Sequence, residues 1–586
     1  MEDRFGELAE LVRQNEVGRR ATIQTPFGRR LVSYADLTAT GRFLHFVEAW
    51  FRHVQPFYAN THTAISSTGR MMTQLREQAR AVIARAVNAG PEHVVVFAGS
   101  GATAAIHKLV GLLGLRIPEP LEREYDLSRH IPPERRPVVL VGPYEHHSNE
   151  LPWLETIAEV LEVPLDGCGR VDVDAIGALL AARAERPLRL GAFSAASNVT
   201  GVLTDVGAVA RALHRAGAYA CFDYAAAAPY APIDMRPADP EQRIDALFVS
   251  THKFVGGPGG SGVLVAHRDL FRSRIPERPG GGTVDYVSAF DRHSVDYVRR
   301  LDEREEGGTP NILGDLRAGA AFLVKELLGP ARILEHDVAL ARTALERLGR
   351  HPRIRLYGPR DCPRLPVLSF NIDGLHHDFV AVLLDHLFGI QNRPGCSCAG
   401  PYGHRLLGIG PEVSERYRRQ IAQGLNGLKP GWVRLTLPYY GSAADVEFLL
   451  SAVEFVADRG PDFLPLYRFG WRDATWKHVA HPVEDAAPIE LSAAALQESA
   501  CCFAAGDHEA PLTEAHVASE RRRYFEEARR VADESRGSRG AEPPAANAPT
   551  GDPALDELVW FRYVQTDDAW RDPPPAEPPA CPSCGS

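Results

Sequence analysis

A chain of 586 residues, 45% hydrophobic and 24% charged, is long enough to bury large cores and to form two or three domains. Its net charge of -10 provides no basic field for nucleic acid, and it has no run of 18 uncharged apolar residues that would cross a membrane. The opening MEDRFGELAELVRQNEVGRR lacks the apolar core of a secretion signal, so the expectation is a cytoplasmic protein whose nine sparse cysteines are thiols, not a disulfide framework.

In chain order, the Leu8 and Leu11 spacing predicts an amphipathic helix over 1–20, followed by an extended segment over 22–31 and helices over 43–54 and 69–89. The apolar run 93–97 leads into Gly99-Ser-Gly-Ala-Thr103 and a helix over 104–113. Glycines at a strand-to-helix turn let backbone N–H groups approach an anion, so this segment reads as a phosphate cradle or, as such turns more often are, a plain turn. A strand over 138–142 precedes Tyr144-Glu-His-His-Ser-Asn149. A histidine at such a strand end can stack on a planar cofactor and shuttle protons, or the pair can simply be surface histidines. Strands over 188–194 and 218–223 follow, the second ending in Asp223.

The next apolar strand, 246–249, stops at Ser250-Thr-His-Lys253 and is followed by glycines at 256, 257, 259, 260 and 262. A buried strand that delivers a lysine desolvates it, and desolvation favours the neutral amine that an imine-forming nucleophile needs. Asp223 lies at the end of a strand 30 positions earlier. An acid and a lysine so placed are what pyridoxal 5'-phosphate requires: the acid keeps the pyridine nitrogen protonated and the lysine carries the cofactor as a Schiff base. Alternation of strands and helices from 93 to 265 implies βαβ units and a mostly parallel sheet, with the site at the carboxyl ends of the strands.

Beyond this point, helices are predicted over 314–328 and 334–348, and from about 330 a smaller α/β domain with a strand over 366–372 and a helix over 378–388. Arg393-Pro-Gly-Cys-Ser-Cys-Ala-Gly-Pro-Tyr-Gly-His404 forms a loop with two thiols. Such a thiol can attack a substrate sulfur and leave as a persulfide, whereas Cys-x-Cys with no second pair nearby is a poor zinc site, so no metal is expected. Arg434, in a strand over 432–438, is a planar bidentate donor suited to an α-carboxylate. An extra helix over 415–428 could lid the site. After about 460, some periodicity remains over 471–481 and 491–505, and 519–536 reads as a charged helix. The Pro/Ala/Gly-rich segment 537–553 is expected to be disordered, and the apolar island 555–564 to dock on the body. Cys581 and Cys584 form an inert tail or a flexible dithiol that accepts sulfur.

In this order the motifs from about Tyr34 to Tyr440 resemble the class V aminotransferase family, within it the cysteine desulfurase and selenocysteine lyase branch. The resemblance implies an α/β fold: a large domain with a mostly parallel, seven-stranded-type sheet flanked by helices, plus a smaller α/β C-terminal domain. The expected divisions are an N-terminal segment 1–30, a large cofactor domain 31–329, a small domain 330–460, an extension 461–536 and a tail 537–586. It also implies that Ala102 and Thr103 hold the phosphate and that His146 stacks on the ring. Asn198, in Ala195-Ala-Ser-Asn-Val-Thr-Gly201, would contact the cofactor's phenolic oxygen or the substrate carboxylate. Ser250, His252 and Lys253 complete the cofactor set with Asp223. Thr309, in Gly307-Gly-Thr-Pro-Asn311, would reach the phosphate of a neighbouring subunit, which makes the protein a homodimer.

The pattern Arg-x-Gly-x-x-Cys-Ala fits Arg393, Gly395 and Cys398, which makes Cys398 the nucleophile and leaves Cys396 as a relay thiol or a residue without a role. Arg434 and Arg393 fall in the substrate-binding set. One departure is Ala226, where the family commonly has glutamine three positions after the aspartate. The implied activity takes sulfur from L-cysteine onto Cys398, releases alanine and hands the sulfur to an acceptor protein. Two alternatives stand beside it. One is another class V activity (selenocysteine or C–S lyase, epimerase or aminotransferase) in which Cys398 is a bystander. The other is a non-catalytic scaffold, against which intact Lys253, Asp223 and His146 argue.

Overall fold

The short apolar runs become strands because helices cover both of their faces. In the computed structural model, which describes residues 2–63, 65–291, 293–481, 513–538, 547, 550 and 552–567, seven of them form one sheet. They are β1 (His93–Phe97), β2 (Val138–Val141), β3 (Glu159–Glu162), β4 (Arg189–Ser194), β5 (Tyr219–Asp223), β6 (Ala246–Ser250) and β7 (Gly262–His267), in the spatial order β1-β7-β6-β5-β4-β2-β3. β2 through β6 pair in parallel. β7 runs antiparallel to both β6 and β1, because the glycine-rich connection after Lys253 contains no crossover helix, and a parallel return needs one. The crossover helices Val173–Ala181 and Val206–Arg215 start at Asp172 and Asp205, whose carboxylates accept from Ala175 N–H and Ala208 N–H.

The register aligns the functional strand ends. Ser194 pairs with Asp223, and Asp223 pairs with Phe248, two residues before Ser250. Close backbone approach brings the segment from Gly99 to Thr103 to the same edge. Gly101, at φ +64°, opens the helix α1 (Gly101–Leu112), and a Cβ on Gly262 would collide with the Gly101 carbonyl.

The helix Pro330–Leu348 leads to a second, four-stranded antiparallel sheet: β8 (Ile354–Leu356), β9 (Val367–Ile372), β10 (Arg393–Gly395) and β11 (Trp432–Thr436), in the order β8-β9-β11-β10. The helices His377–Phe388 and Ala443–Arg459 pack in its core. The extra helix expected over 415–428 is observed earlier, over Pro411–Ala422, after another over Gly400–Leu407. Pro411 at the first helical turn fixes its start, and the chain leaves the helix before Gly424, at φ +88°.

The segment after 460 adds the strands Tyr467–Phe469, Trp476–His478 and Gln565–Thr566 and the helix Glu514–Gly537. The apolar island is docked. Leu555, Leu558, Phe561 and Tyr563 are buried in one cluster with Phe379 of the second sheet's helix and with Phe469, Trp471 and Trp476. Arg30, which is fully buried, ties this layer to the N-terminal hairpin of the strands Thr22–Thr25 and Gly28–Leu31 through Leu387 O (2.7 Å), Glu527 (3.0 Å) and the ring of Tyr524. The expected periodic segment 491–505, most of 537–553 and the Cys581/Cys584 pair lie outside the described residues. Among the described residues, no helix is long and apolar enough to cross a membrane.

Candidate active site

The carboxyl ends of β4, β5 and β6 open into a cavity of about 510 Å³, closed on its far side by β10, β11 and the loop after β10. Asp223, the last residue of β5, and Lys253, just past β6, both line it. Desolvation drops the Lys253 ammonium to about 8, against an opposing pull from Asp223. Burial pushes the Asp223 carboxyl up, while the Ala225 N–H (2.8 Å) and Lys253 hold it back.

His146 forms part of the wall, and burial together with the Lys253 charge drops its imidazole to about 4. Its Nδ1 accepts from the Ser148 N–H at 3.1 Å, so the neutral ring carries its proton on Nε2. One end of the cavity, at the start of α1, is lined by Ser100, Gly101, Ala102, Thr103, Ser250 and His252. Ala102 N–H donates to Ser250 Oγ (2.8 Å), and Thr103 Oγ1 donates to Ser148 Oγ (2.7 Å). Desolvation holds His252 near 4, so this end is neutral side chains and backbone N–H groups at a helix N-terminus.

The opposite end carries the arginines. Arg393 and Arg434 face each other across β10 and β11, an arrangement of like charges that is unfavourable without a counter-ion. Asp36 supplies it, accepting from Arg434 at Oδ1 and from Arg393 at Oδ2, each at 2.9 Å. Arg434 also donates to the Asn198 carbonyl (3.1 Å), yet its buried Nε has no partner. The Asn198 amide donates to Ser397 O (2.7 Å), and its buried Oδ1 is likewise unpartnered.

The loop after β10 brings in the thiols. Cys396 and Cys398 are both exposed and both line the cavity. Ala399 N–H closes a tight turn onto Cys396 O (3.2 Å), and the two central residues, Ser397 and Cys398, have φ of 53° and 55°. Positive φ at both centres is the type I' arrangement, which favours Asn and Gly and strains other side chains. His147 pins the turn twice, donating its N–H to Cys398 O (2.8 Å) and accepting the Gly400 N–H on Nε2 (3.0 Å).

The cavity thus brings together Ala102, Thr103, His146, Asn198, Asp223, Ser250, His252, Lys253, Arg393, Cys398 and Arg434. Thr309 is not among the residues lining it; it is exposed and accepts from Asn60 (3.3 Å). Ala226 lines the wall beyond Asp223 and supplies no hydrogen bond there. The sequence reading gave no role to Glu145, which holds the end of β4 through the Ser194 N–H (2.8 Å), Ser194 Oγ (2.6 Å) and Asn149 (2.7 Å). Burial pushes its carboxyl up to about 7. Its position beside His146 was the available signal.

Pyridoxal 5'-phosphate fits this donor set: a desolvated amine, a buried carboxylate near it, a neutral helix N-terminus for the phosphate, and two orphaned buried polar atoms at the arginine end.

Comparison with known proteins places the chain among related sequences and folds. A family model described as Aminotransferase class-V matches residues 33–449. A probable cysteine desulfurase of Halalkalibacterium halodurans is 30% identical over 414 residues, which is 70% of this chain and 94% of that protein. One from Streptomyces coelicolor is 28% identical over 437 residues, 73% of this chain and 93% of its own length. Among solved structures, the apo cysteine desulfurase of Thermococcus onnurineus NA1 superposes with a TM-score of 0.57 at 27% identity, covering 73% of this chain and 95% of that one. The cysteine desulfurase CsdA of Escherichia coli, with an S-sulfonic acid, gives a TM-score of 0.55 at 26% identity, over 72% and 94% of the two chains.

Proposed function

Because the chain belongs to the class V aminotransferase family, we propose that it is a pyridoxal 5'-phosphate-dependent cysteine desulfurase. The reaction would move sulfur from L-cysteine to Cys398 and release alanine. The observation that carries this reading is that an exposed thiol, Cys398, lines the same cavity as Lys253 and Asp223.

Bound there, the cofactor would supply an electron sink conjugated with the substrate α-carbon. Lys253 would hold it through Nζ, whose neutral form burial makes accessible near pH 8, and would accept the α-proton at the same atom once the substrate amine has displaced it. Asp223 keeps the proton on the pyridine nitrogen. His146, neutral and protonated on Nε2, would take up or release a proton at that atom beside the bound group. Ala102, Thr103, Ser250 and His252 hold the phosphate, and Arg434 and Arg393, set at one spacing by Asp36, bind the α-carboxylate. The Cys398 thiolate attacks the substrate sulfur. An S–S bond forms, the electron pair of the broken S–C bond stays on carbon and is protonated, and the products are alanine and an enzyme persulfide.

Thr309 and the exposed apolar residues Ile65 and Phe290 suit a symmetric homodimer in which Thr309 reaches the partner's phosphate end. Free thiols suit a reducing compartment, so we place the enzyme in the cytoplasm, passing sulfur to an acceptor protein.

The test is incubation of the purified, cofactor-loaded protein with L-cysteine while alanine, pyruvate, sulfide and protein persulfide are followed together. Alanine with persulfide is expected, and Cys398→Ala should abolish both while retaining the cofactor absorbance. Alanine formation by Cys398→Ala at the parent rate would overturn the reading, as would pyruvate as the main product.

A further inference from the structure

The cofactor cavity is not the only one that meets the thiol loop. On the other side of β10 lies a second cavity, also of about 510 Å³, walled by Gly395, Cys396 and Gly400 from the loop, by His377 and Trp432 from the small domain, and by Asp473 from the extension. Cys398 lines the first cavity and is not among the residues lining the second; Cys396 lines both. Cys396 is also exposed, whereas a cysteine kept for packing is ordinarily buried.

The turn sets the spacing of the two thiols. Cys396 and Cys398 occupy the first and third positions, so two virtual bonds of about 3.8 Å hold their Cα atoms no more than about 7.6 Å apart. A persulfide extends the Cys398 side chain by one further S–S bond, about 2.05 Å, toward whatever lies within that radius. The turn itself is strained at both central residues and held by His147 and Asn198, so the fold maintains this proximity against local preference.

A second, independent observation lies on the far side. His377 is 3% exposed, and its Nδ1 has no hydrogen-bond partner although it borders a cavity. A Cβ on Gly431 would lie 2.9 Å from His377 Nε2 and 2.8 Å from Gly395 Cα, so the ring sits against the backbone that carries Cys396. The buried Nδ1 leaves an unmet hydrogen bond at the wall of the second cavity, one that a ligand bound there would supply.

We infer that Cys396 relays sulfur from Cys398 to a thiol acceptor that enters through the second cavity. The inference rests on the desulfurase reading above. The Cys396 thiolate attacks the terminal sulfur of the Cys398 persulfide. A new S–S bond forms on Cys396, the old S–S bond breaks, and Cys398 leaves as the thiolate, ready for the next substrate. The sulfane sulfur keeps its oxidation state, so no oxidant or reductant is needed. The acceptor thiolate then repeats the exchange at Cys396. This gives the extension after residue 460 a part in the reaction, because Asp473 and its neighbours Arg472 and Ala474 form the acceptor side of the cavity.

The test uses the cofactor-loaded full chain, L-[35S]cysteine and 2-mercaptoethanol as the acceptor probe, with peptide mass spectrometry locating the added sulfur after a single turnover. In the parent protein the label is expected on Cys398 and then on Cys396, with alanine released in the first step. Cys396→Ala should trap the label on Cys398 and slow its delivery to 2-mercaptoethanol at least about tenfold, the advantage of an intramolecular step being lost. Leu407→Trp, which fills the second cavity, should trap it on Cys396. Label confined to Cys398 in the parent, with delivery unimpaired in Cys396→Ala, would overturn the relay while leaving the desulfurase reading intact. Label reaching Cys396 in Cys398→Ala would overturn the order of the two thiols. Absence of alanine from the parent would instead mean that the desulfurase reading had failed.

Discussion

The two ends of the active-site cavity are built on opposite principles. At the cofactor end, Asp223 and Lys253 sit at or just past the ends of strands buried on both faces, and the paired register of β4, β5 and β6 fixes their relative positions. At the thiol end, the reacting groups are exposed and ride on a turn whose two central residues adopt a conformation their side chains disfavour. The difference follows from what each end must do. A resident cofactor would need fixed, dehydrated partners, whereas two thiols that divide the capture of sulfur from its proposed delivery would need access on both sides of the loop.

The sharpest way to break this contrast is Lys253→Ala. The cofactor end is organised around a desolvated amine, so activity should fall by at least about 10³-fold. Yet the apoprotein should melt at a higher temperature, because an amine whose charged form is disfavoured by burial has been removed. Loss of stability together with activity would show that Lys253 is structural.

Asp36→Ala probes the wall between the two ends. Without Asp36, Arg434 is left buried with its charge uncompensated and Arg393 directly opposite, and breaking a buried pair in this way costs about 3 kcal/mol. Chemical denaturation should show that loss, and KM for L-cysteine should rise more than kcat falls. An unchanged KM would remove the arginines from substrate binding.

The third prediction is a pH dependence that belongs to the cofactor end alone. The neutral Nζ of Lys253 is the reactive form and its transition lies at about 8, so reconstitution of apoprotein should quicken about tenfold per pH unit below 8 and level off above it. The stability sign agrees. Between about pH 8 and the ordinary lysine range the unfolded chain binds a proton that the folded chain does not, so apoprotein stability rises with pH across that window. A reconstitution rate that keeps rising about tenfold per pH unit through pH 9, with no plateau, would show that Nζ is not desolvated.

The same division decides what could be read from sequence. The convergence of Lys253, Asp223 and the segment from Gly99 to Thr103 on one cavity was legible because apolar runs, glycines and chain order encode strand ends directly. Fold class was legible for the same reason, including the smaller domain from its alternating strand and helix. Asp36 as the bridge between two arginines was not, since it comes from the far N-terminal part of the chain and its role depends on the opposed register of β10 and β11. Cys396 was read as a relay thiol or a residue without a role, and the sequence could not choose between them, because two cavities meet at it and one wall of the second comes from the extension. The docked island 555–564 was recognisable as apolar, but only the buried rings of Phe469, Trp471 and Trp476 show what it docks against.

The smallest effect, and the most specific to the thiol end, is expected from Ser397→Gly. Ser397 sits at φ 53°, where a side chain costs about 1–2 kcal/mol relative to glycine, and its buried Oγ has no hydrogen-bond partner. Glycine would relieve both penalties, against an added loss of about 0.5–1 kcal/mol from its greater freedom in the unfolded chain. The net should be a gain of about 1 kcal/mol in denaturant unfolding. The Asn198 contact is made to the Ser397 backbone carbonyl and survives the substitution, so Cys398 should still take sulfur from substrate. The turn would nevertheless have lost the side chain that confines it, and transfer between the two thiols, which depends on their separation, should slow. A variant both more stable and slower in delivering sulfur would show that the strain at this turn is held for the chemistry. A less stable variant would show that Ser397 is comfortable where it is and that the turn is an ordinary one.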